Sequence, residues 1–469
     1  MTLPTFPSEL IGKILSRLNV ADLHSTALTS PALRKVANSI LFKELVIPSN
    51  RSSLKLCQAL LRNPDLGHDV RHVSFAYAER RYPFEYLPNV PHPGSLGPRG
   101  FPSLPSPPLS QSDLDQARYV LQHAASPVPD REVVSWSALL SAGSFQAAAV
   151  IIILLCSNLR SLELNQPASD FHFPPFLLVN LPELRNFTLK WHKIPVDSPV
   201  SWDHPADYDL VVAALQNPVI DCIRLHITDP VRDTSATTLE DALRSIPEGS
   251  CKGPQALYLE KSYLVSASFG VLLEKCPRLH TLEADLYWDG CSSNRTIDCA
   301  TLGRQLGKLP MLKHLGYKIK IWPSQAADPS MTGGDPDSGD MWGVKGRVGS
   351  LKHLKLETLE MSLVVLLGWT PSKLDQSLGD ILPRNLRSLC LTDDMGDFLY
   401  WKWEGEDLLG VLCPYIEARD TAPSLERVEM SLVWDEEGGV PGDMLEPHNR
   451  SRLREVCATA RVQCAILDL

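Results

Sequence analysis

The sequence lacks three things that would each have pointed to a familiar class. It has no long hydrophobic run: the longest, Ala147 to Cys156, is ten residues, about half of the roughly 20 that a helix needs to cross a bilayer. It has no excess of basic charge, with 45 Lys and Arg against 55 Asp and Glu and a net charge of −10, so nothing draws it as a whole to nucleic acid or an anionic membrane. It has no cysteine motif. Its 11 cysteines never form Cys-x-x-Cys, and the closest pairs, Cys457 with Cys464 and Cys291 with Cys299, have no histidine at ligand spacing, which argues for reduced thiols and against structural zinc. The first basic residue, Lys13, precedes no apolar signal region. The expectation is a soluble, unsecreted protein of the cytoplasm, the nucleus or both, since no basic targeting cluster stands out.

The common catalytic signatures are missing too. There is no Gly-x-Ser-x-Gly elbow, no His-Glu-x-x-His and no phosphate-binding loop with its Lys-Ser/Thr. Gly94, Gly97 and Gly100 lie in a proline-rich stretch, and Asp335, Asp337 and Asp340 are followed by Gly346 where a calcium loop needs glutamate. No cofactor and no metal are expected. One acidic run, Asp393, Asp394, Asp397, Glu404, Glu406 and Asp407, is interleaved with Tyr400, Trp401 and Trp403. It reads either as a cleft or basic-peptide site, or as a solvated loop with aromatic anchors.

What is present is apolar residue in quantity, 44% of the chain, enough for a large core. The first 45 residues predict three short helices. Ser8 is placed to cap a helix carrying Leu10, Ile11, Ile14, Leu15 and Leu18, Asp22 to cap a second with Leu23, Ala27 and Leu28, and Ser30-Pro31 to open a third with Leu33, Val36, Ala37, Ile40 and Leu41. So small a bundle encloses little core and leaves apolar surface for a partner. Phe6-Pro7-Ser8-Glu9-Leu10-Ile11, then Ile14-Leu15 and Leu18, then Asp22-Leu23, then Leu33-Arg34-Lys35-Val36-Ala37 resemble the F-box family, with Phe6 where leucine is usual and Leu33 where tryptophan is frequent. The resemblance implies docking onto the Skp-type adaptor of a cullin–RING ubiquitin ligase through Phe6, Pro7, Leu10, Ile11, Ile14, Leu15, Leu18 and Leu23. The other reading is that these helices merely cap the repeats of the remaining chain.

From residue 70 onward a short word, apolar-x-x-apolar-x-apolar, recurs. It starts at Val70, Leu159, Leu184, Ile220, Pro254, Leu279, Leu312, Leu356, Leu386 and Leu425, and the later nine starts are 25, 36, 34, 25, 33, 44, 30 and 39 residues apart. Each word predicts a strand with alternate residues inward, and most come after an apolar helical stretch. Strand and helix alternating at this spacing predict a solenoid. The pattern resembles degenerate leucine-rich repeats, and with the first segment it resembles the F-box/leucine-rich-repeat substrate receptors. The expected fold is therefore α/β: helical segment 1–45, then an irregular solenoid over 46–469 with a curved parallel sheet and outer helices. Mobile insertions are expected at 87–113 and 323–349, and a helix then a strand at the C-terminal end serve as cap.

The resemblance implies a non-catalytic substrate-recognition subunit, with cullin and the Skp-type adaptor as partners and a protein target read by the concave strand face. That face would hold Glu163, Lys190, Arg224, Tyr258, Glu260, Glu283, Lys318, Glu360, Arg427 and Glu429, a mixture of signs that suits a protein target. Trp191, Trp288, Trp322 and Trp434 each fall seven to ten residues after a word begins. With Arg224 and Tyr258 they are the candidate target-binding residues, the four indoles forming a ridge if their loops share an edge, or else ordinary packing on the solenoid flank. The competing function is a leucine-rich scaffold outside any ligase. An unrecognised enzyme using the acidic, aromatic region near Trp401 is the third.

Overall fold

A computed structural model describes residues 7–47, 50–75, 109–124, 126, 128–166, 173–191, 208–227, 239–251, 253–262, 264, 266–288, 297–321, 340–341, 344–371, 374, 376–393, 403–418, 420–432 and 446–468. The chain forms two compact units, Met1–Val200 with Asp209–Ala214, and Ser201–Tyr208 with Leu215–Leu469. Among the described residues, four strands in the first unit and eight in the second pair in parallel within their own unit, and helices alternate with them in a solenoid-like arrangement.

The first unit opens with α1 (Ser8–Leu15), α2 (Val20–Ala27) and α3 (Pro31–Leu41). Their shared core is Ile11, Leu15, Leu23, Ala27, Leu33 and Ala37. As expected, Ser30 caps α3, its Oγ accepting the Leu33 amide at 3.2 Å, with Pro31 in the first turn. Two other caps differ from expectation. Helix α1 already includes Ser8 and starts after Pro7 with no side-chain cap. Asn19, not Asp22, caps α2: its Oδ1 accepts the Asp22 amide at 2.9 Å and its Nδ2 donates to the Asp22 carboxylate at 2.8 Å. An acceptor three residues upstream reaches the free amide, and Asp22 inside the first turn gains from the helix dipole instead.

Next come β1 (Glu44–Val46), α4 (Asn50–Arg62), α5 (Asp65–Asp69), β2 (His72–Phe75), α6 (Gln111–Gln122), α7 (Asp130–Ser141), α8 (Phe145–Leu155), β3 (Ser161–Gln166), α9 (Phe176–Val179) and β4 (Asn186–Trp191). Strands β1 to β4 pair in chain order. Helix α8 holds the longest apolar run; its residues from Ala147 to Ile153 are all buried. Among the described residues no single helix is long and apolar enough to cross a membrane. The first expected insertion needs correction at its end. Its last residues are helical, because Ser110 and Asp113 form a reciprocal capping box that starts α6. Asp113 is buried and takes bonds from Arg62 and Gln58 of α4. Residues 87–108 lie outside the described residues.

Helix α10 (Tyr208–Gln216) is shared between the two ranges, and the second unit continues as β5 (Cys222–His226), α11 (Leu239–Arg244), β6 (Ala256–Ser262), α12 (Ser266–Glu274), β7 (Thr281–Trp288), β8 (Ile297–Asp298), α13 (Cys299–Leu306), β9 (His314–Ile321), β10 (Asp340–Met341), β11 (Val344–Lys345), β12 (Thr358–Ser362), α14 (Leu363–Leu367), α15 (Leu378–Ile381), β13 (Ser388–Asp393), α16 (Gly405–Glu417), β14 (Arg427–Leu432), α17 (Pro447–Thr459) and β15 (Gln463–Asp468). The parallel order is β5-β6-β7-β9-β12-β13-β14-β15, while β10, β11 and β8 make a small separate sheet. The described part of the second expected insertion is thus partly ordered into β10 and β11; residues 323–339 lie outside the described residues.

Register explains the burial. One inward row reads Ile223, Leu257, Leu282, Leu315, Leu359, Leu389, Val428 and Cys464, and one outward row reads Arg224, Tyr258, Glu283, Gly316, Glu360, Cys390, Glu429 and Ala465. The period-two word therefore splits apolar from polar residues across the sheet. Two buried serines satisfy backbone donors beside the ends of β6 and β12. Ser262 Oγ accepts the Ile227 amide at 3.2 Å and Ser362 Oγ accepts the Ile319 amide at 3.1 Å, satisfying donors at the strand ends.

A second device recurs where strands begin: two consecutive amides share one carbonyl of the preceding repeat. Arg160 and Ser161 donate to Arg71 O at 2.8 and 3.0 Å, and Lys313 and His314 donate to His280 O at 2.9 and 3.0 Å, with the same arrangement at most other strands of each unit. Close packing also needs a glycine on α13. A Cβ on Gly303 would fall inside the van der Waals shell of the Val348 carbonyl oxygen.

Candidate functional site

Two surfaces carry the candidate residues. Among the described residues no group of His, Cys, Asp and Glu is placed to hold a metal ion. Burial pushes the thiols of Cys57, Cys156 and Cys299 up to about 12, and burial with the Glu360 and Glu429 carboxylates does the same to Cys390. These thiols stay protonated at neutral pH and are poor nucleophiles.

The described part of the acidic, aromatic run is structural. Asp393 ends β13 in a buried position, Trp403 is buried with its Nε1 donating to Gly368 O at 2.9 Å, and Glu404 and Asp407 form the capping box of α16. Glu406 pairs with Arg452 at 2.6 Å. Residues 394–402, Tyr400 and Trp401 among them, lie outside the described residues.

The first surface is on the N-terminal helices. Helix α1 has apolar residues in adjacent pairs, Leu10 with Ile11 and Ile14 with Leu15, and only one of each pair can enter the core of three short helices. Ile11 and Leu15 are buried, with Leu23 of α2; Leu10 is 45% and Ile14 47% exposed. Pro7 is exposed and Leu18 half-buried, so Pro7, Leu10 and Ile14 line one stripe at i, i+3 and i+7. Helix α2 adds Val20 at 72% exposure, and Leu28, just past its end, is 67% exposed. Phe6 lies outside the described residues. Helix α3 is tied to the end of α2 by Arg34, whose Nε donates to Ala27 O at 3.1 Å. Of the eight candidate docking residues, the structure places Ile11, Leu15 and Leu23 inside, where they set the angle of the helices rather than meet solvent.

The second surface is the outward face of the strands. In the second unit the Arg224 guanidinium lies 4.4 Å from the centroid of the Tyr258 ring and pairs with Glu260, a cation held over an aromatic face. Lys318 pairs with Glu360 at 2.8 Å and Arg427 with Glu429. In the first unit Lys190 pairs with Glu163 at 2.9 Å. Opposite charges thus meet across neighbouring strands in three of these pairs and within β14 in the fourth.

The expected tryptophan ridge is only partly in view. Trp191 is the last residue of β4 and Trp288 the last of β7, so these two belong to strands rather than to the loops expected after them. Trp322 and Trp434 lie outside the described residues. Two other tryptophans that the repeat pattern did not single out are buried anchors: Trp403, and Trp369 with Nε1 donating to Val344 O at 3.1 Å.

With this geometry in hand, comparison with known proteins is informative at one end of the chain. No curated protein matches the sequence. Residues 3–45 match the family model of the F-box domain, a span that takes in α1, α2, α3 and the start of β1. F-box domains in general bind Skp-type adaptors within SCF ubiquitin ligases, and proteins that carry them serve in general as substrate receptors. The chain thus carries an F-box domain over residues 3–45.

Proposed function

We propose that the protein is a non-catalytic substrate receptor of an SCF-type cullin–RING ubiquitin ligase, working in the cytoplasm, the nucleus or both. Residues 1–45 dock on the Skp-type adaptor and residues 46–469 hold a protein target. The observation that carries this reading is the coincidence of the F-box match with an exposed apolar stripe on α1, Pro7, Leu10 and Ile14, and with exposed Val20 and Leu28 at the two ends of α2, on helices whose own core is already filled. Burying such side chains against a partner is worth about 25 cal/mol per Å² of apolar surface. The strand face supports the target half of the reading by offering paired charges and an Arg-Tyr stack, chemistry suited to a patterned protein surface.

The receptor itself contributes geometry. Holding a target lysine beside a charged conjugating enzyme raises its effective concentration, so rigidity and span matter more than any acid or base in this chain. The test is co-purification of the tagged chain with the Skp-type adaptor and cullin, against a version lacking residues 1–45. Adaptor and cullin recovered only with the intact chain support the reading. A folded intact chain that recovers neither overturns it and leaves a solenoid scaffold outside any ligase.

A further inference from the structure

The residue just before each strand sits on the shared-carbonyl joint, so these residues form a row of their own along the rim where strands begin. In the second unit the row is Asp221, Gln255, His280, Lys313, Glu357, Arg387, Glu426 and Val462, and its four charged neighbours from Lys313 to Glu426 neutralise one another: Lys313 pairs with Glu357 at 3.0 Å, and Arg387 with Glu426 at 3.8 Å. In the first unit the same positions are Lys43, Arg71, Arg160 and Arg185, linked in order by the Arg71 amide to Lys43 O, the Arg160 amide to Arg71 O and the Arg185 amide to Arg160 O. Four cations therefore stand on four consecutive strands, about 4.8 Å apart, in a row about 14 Å long.

Lys43, Arg160 and Arg185 are exposed, and Arg71 is half-buried with its Nη1 donating to Asn158 O at 3.0 Å. Among the described residues neither Lys43 nor Arg160 has a carboxylate within ion-pair distance. Like charges this close repel, and the shared-carbonyl joint itself does not require them, since the second unit builds it with acidic, basic and neutral residues.

We propose that this row binds an acidic stretch of a protein target, extended along the rim with its Asp or Glu carboxylates on the cations. Guanidinium forks match carboxylates in pairs of hydrogen bonds, and an extended chain presents one side chain every two residues, about 6.8 Å, so two or three carboxylates span the row. A short acidic peptide fits better than a long polyanion. Glu44 and Glu183 flank the row in sequence and the chain as a whole carries −10, so nucleic acid or an anionic bilayer would run onto repelling charge. The proposal rests on the receptor reading only in calling the bound segment a target.

The test is fluorescence anisotropy of the full-length chain with a labelled eight-residue peptide alternating Glu and Ser, and with its Gln-Ser analogue. Variants Arg160→Glu and Arg185→Glu are compared with Arg387→Glu from the self-neutralised row, and thermal melts check folding; Arg160→Gln replaces any reversal that does not fold. The expected result is that wild type and Arg387→Glu bind the Glu peptide, each first-unit reversal binds about tenfold more weakly, and added salt weakens binding. Equal binding of the Gln analogue, unchanged binding by the first-unit variants, or tighter binding of single-stranded DNA or phosphatidylserine vesicles overturns it. Adaptor capture by the same preparations is read separately. Its absence with peptide binding intact overturns the receptor reading alone and leaves the acidic-peptide site supported.

Discussion

Arg62 Nη2 lies 3.0 Å from Asp113 Oδ2, and Gln58 Nε2 reaches the same oxygen at 2.9 Å. This buried carboxylate ties α6 to α4, and the Arg62 guanidinium, with help from Gln58 and Ser110, holds it well below the usual carboxylate range. A depressed carboxylate contributes stability that is fully present above its unfolded pKa near 4 and is lost as pH falls toward its folded value. Asp113→Asn is therefore expected to cost about 2 kcal/mol between pH 7 and 5, with the gap to wild type narrowing by pH 3. Denaturant melts at those three pH values check it; a gap that widens at pH 3 contradicts the assignment.

Helix α1 separates folding from docking within single turns. Leu15→Ala removes a core side chain and is expected to cost about 3 kcal/mol, whereas Leu10→Asp and Ile14→Asp alter exposed positions and change stability by about 0.5 kcal/mol or less. On the proposed function, both aspartate variants lose adaptor binding by at least about tenfold. Melts alongside adaptor pull-down resolve the two effects.

Ser262→Ala deletes the acceptor of the Ile227 amide at a site the structure buries completely. The expected cost is about 1–3 kcal/mol. Amide hydrogen exchange gives a local reading: Ile227 should lose protection while the strands of the first unit keep theirs.

Gly303→Ala drives a methyl group into the Val348 carbonyl oxygen. Backbone cannot yield as a flexible side chain does, so destabilisation of about 2 kcal/mol or more is expected despite the better helix propensity of alanine. A variant as stable as wild type in thermal melts would show that α13 and the segment at Val348 separate easily.

Thiol reactivity should single out one cysteine. The Cys457 thiol hydrogen-bonds to Cys464 and draws Cys464 below the usual thiol range, while burial keeps Cys299 at about 12 and Cys276 higher still. Iodoacetamide at pH 7.5 is expected to alkylate Cys464 ahead of Cys276 and Cys299 by peptide mass spectrometry. Equal rates would count against the pairing.

Much of the architecture is legible in the sequence because it rests on period. Each of the ten words beginning at Val70, Leu159, Leu184, Ile220, Pro254, Leu279, Leu312, Leu356, Leu386 and Leu425 contains or leads into a parallel strand. Strand β1 escapes the pattern because three residues, Glu44–Val46, are too few to show alternation, and β8, β10 and β11 have two residues each. Asp113 was hidden by the proline-rich composition that runs up to it. At the docking stripe, the sequence marks Leu10, Ile11, Ile14 and Leu15 alike as apolar, and only the position of α3 decides which of each pair turns inward. The basic row was not legible at all. Lys43, Arg71, Arg160 and Arg185 are far apart and irregularly spaced in sequence, and they become neighbours only once strand register is known.

Many of the joints from helix into strand are close in length. From the end of α8, α9, α10, α12, α13 and α15 to the next strand there are five to seven residues, whereas β4 ends at Trp191 with α10 starting at Tyr208, and β9 ends at Ile321 with β12 starting at Thr358. The largest length variation therefore falls in the segments that leave the strands, while among the joints the one after α11 runs to eleven residues and the one after α16 to nine. A unit built this way has one rim of constant pitch and one free to lengthen. Insertions accumulate on the second rim without shifting a single hydrogen bond on the first, so side chains on the constant rim act as marks on a ruler, their separations set by backbone geometry whatever is grafted opposite.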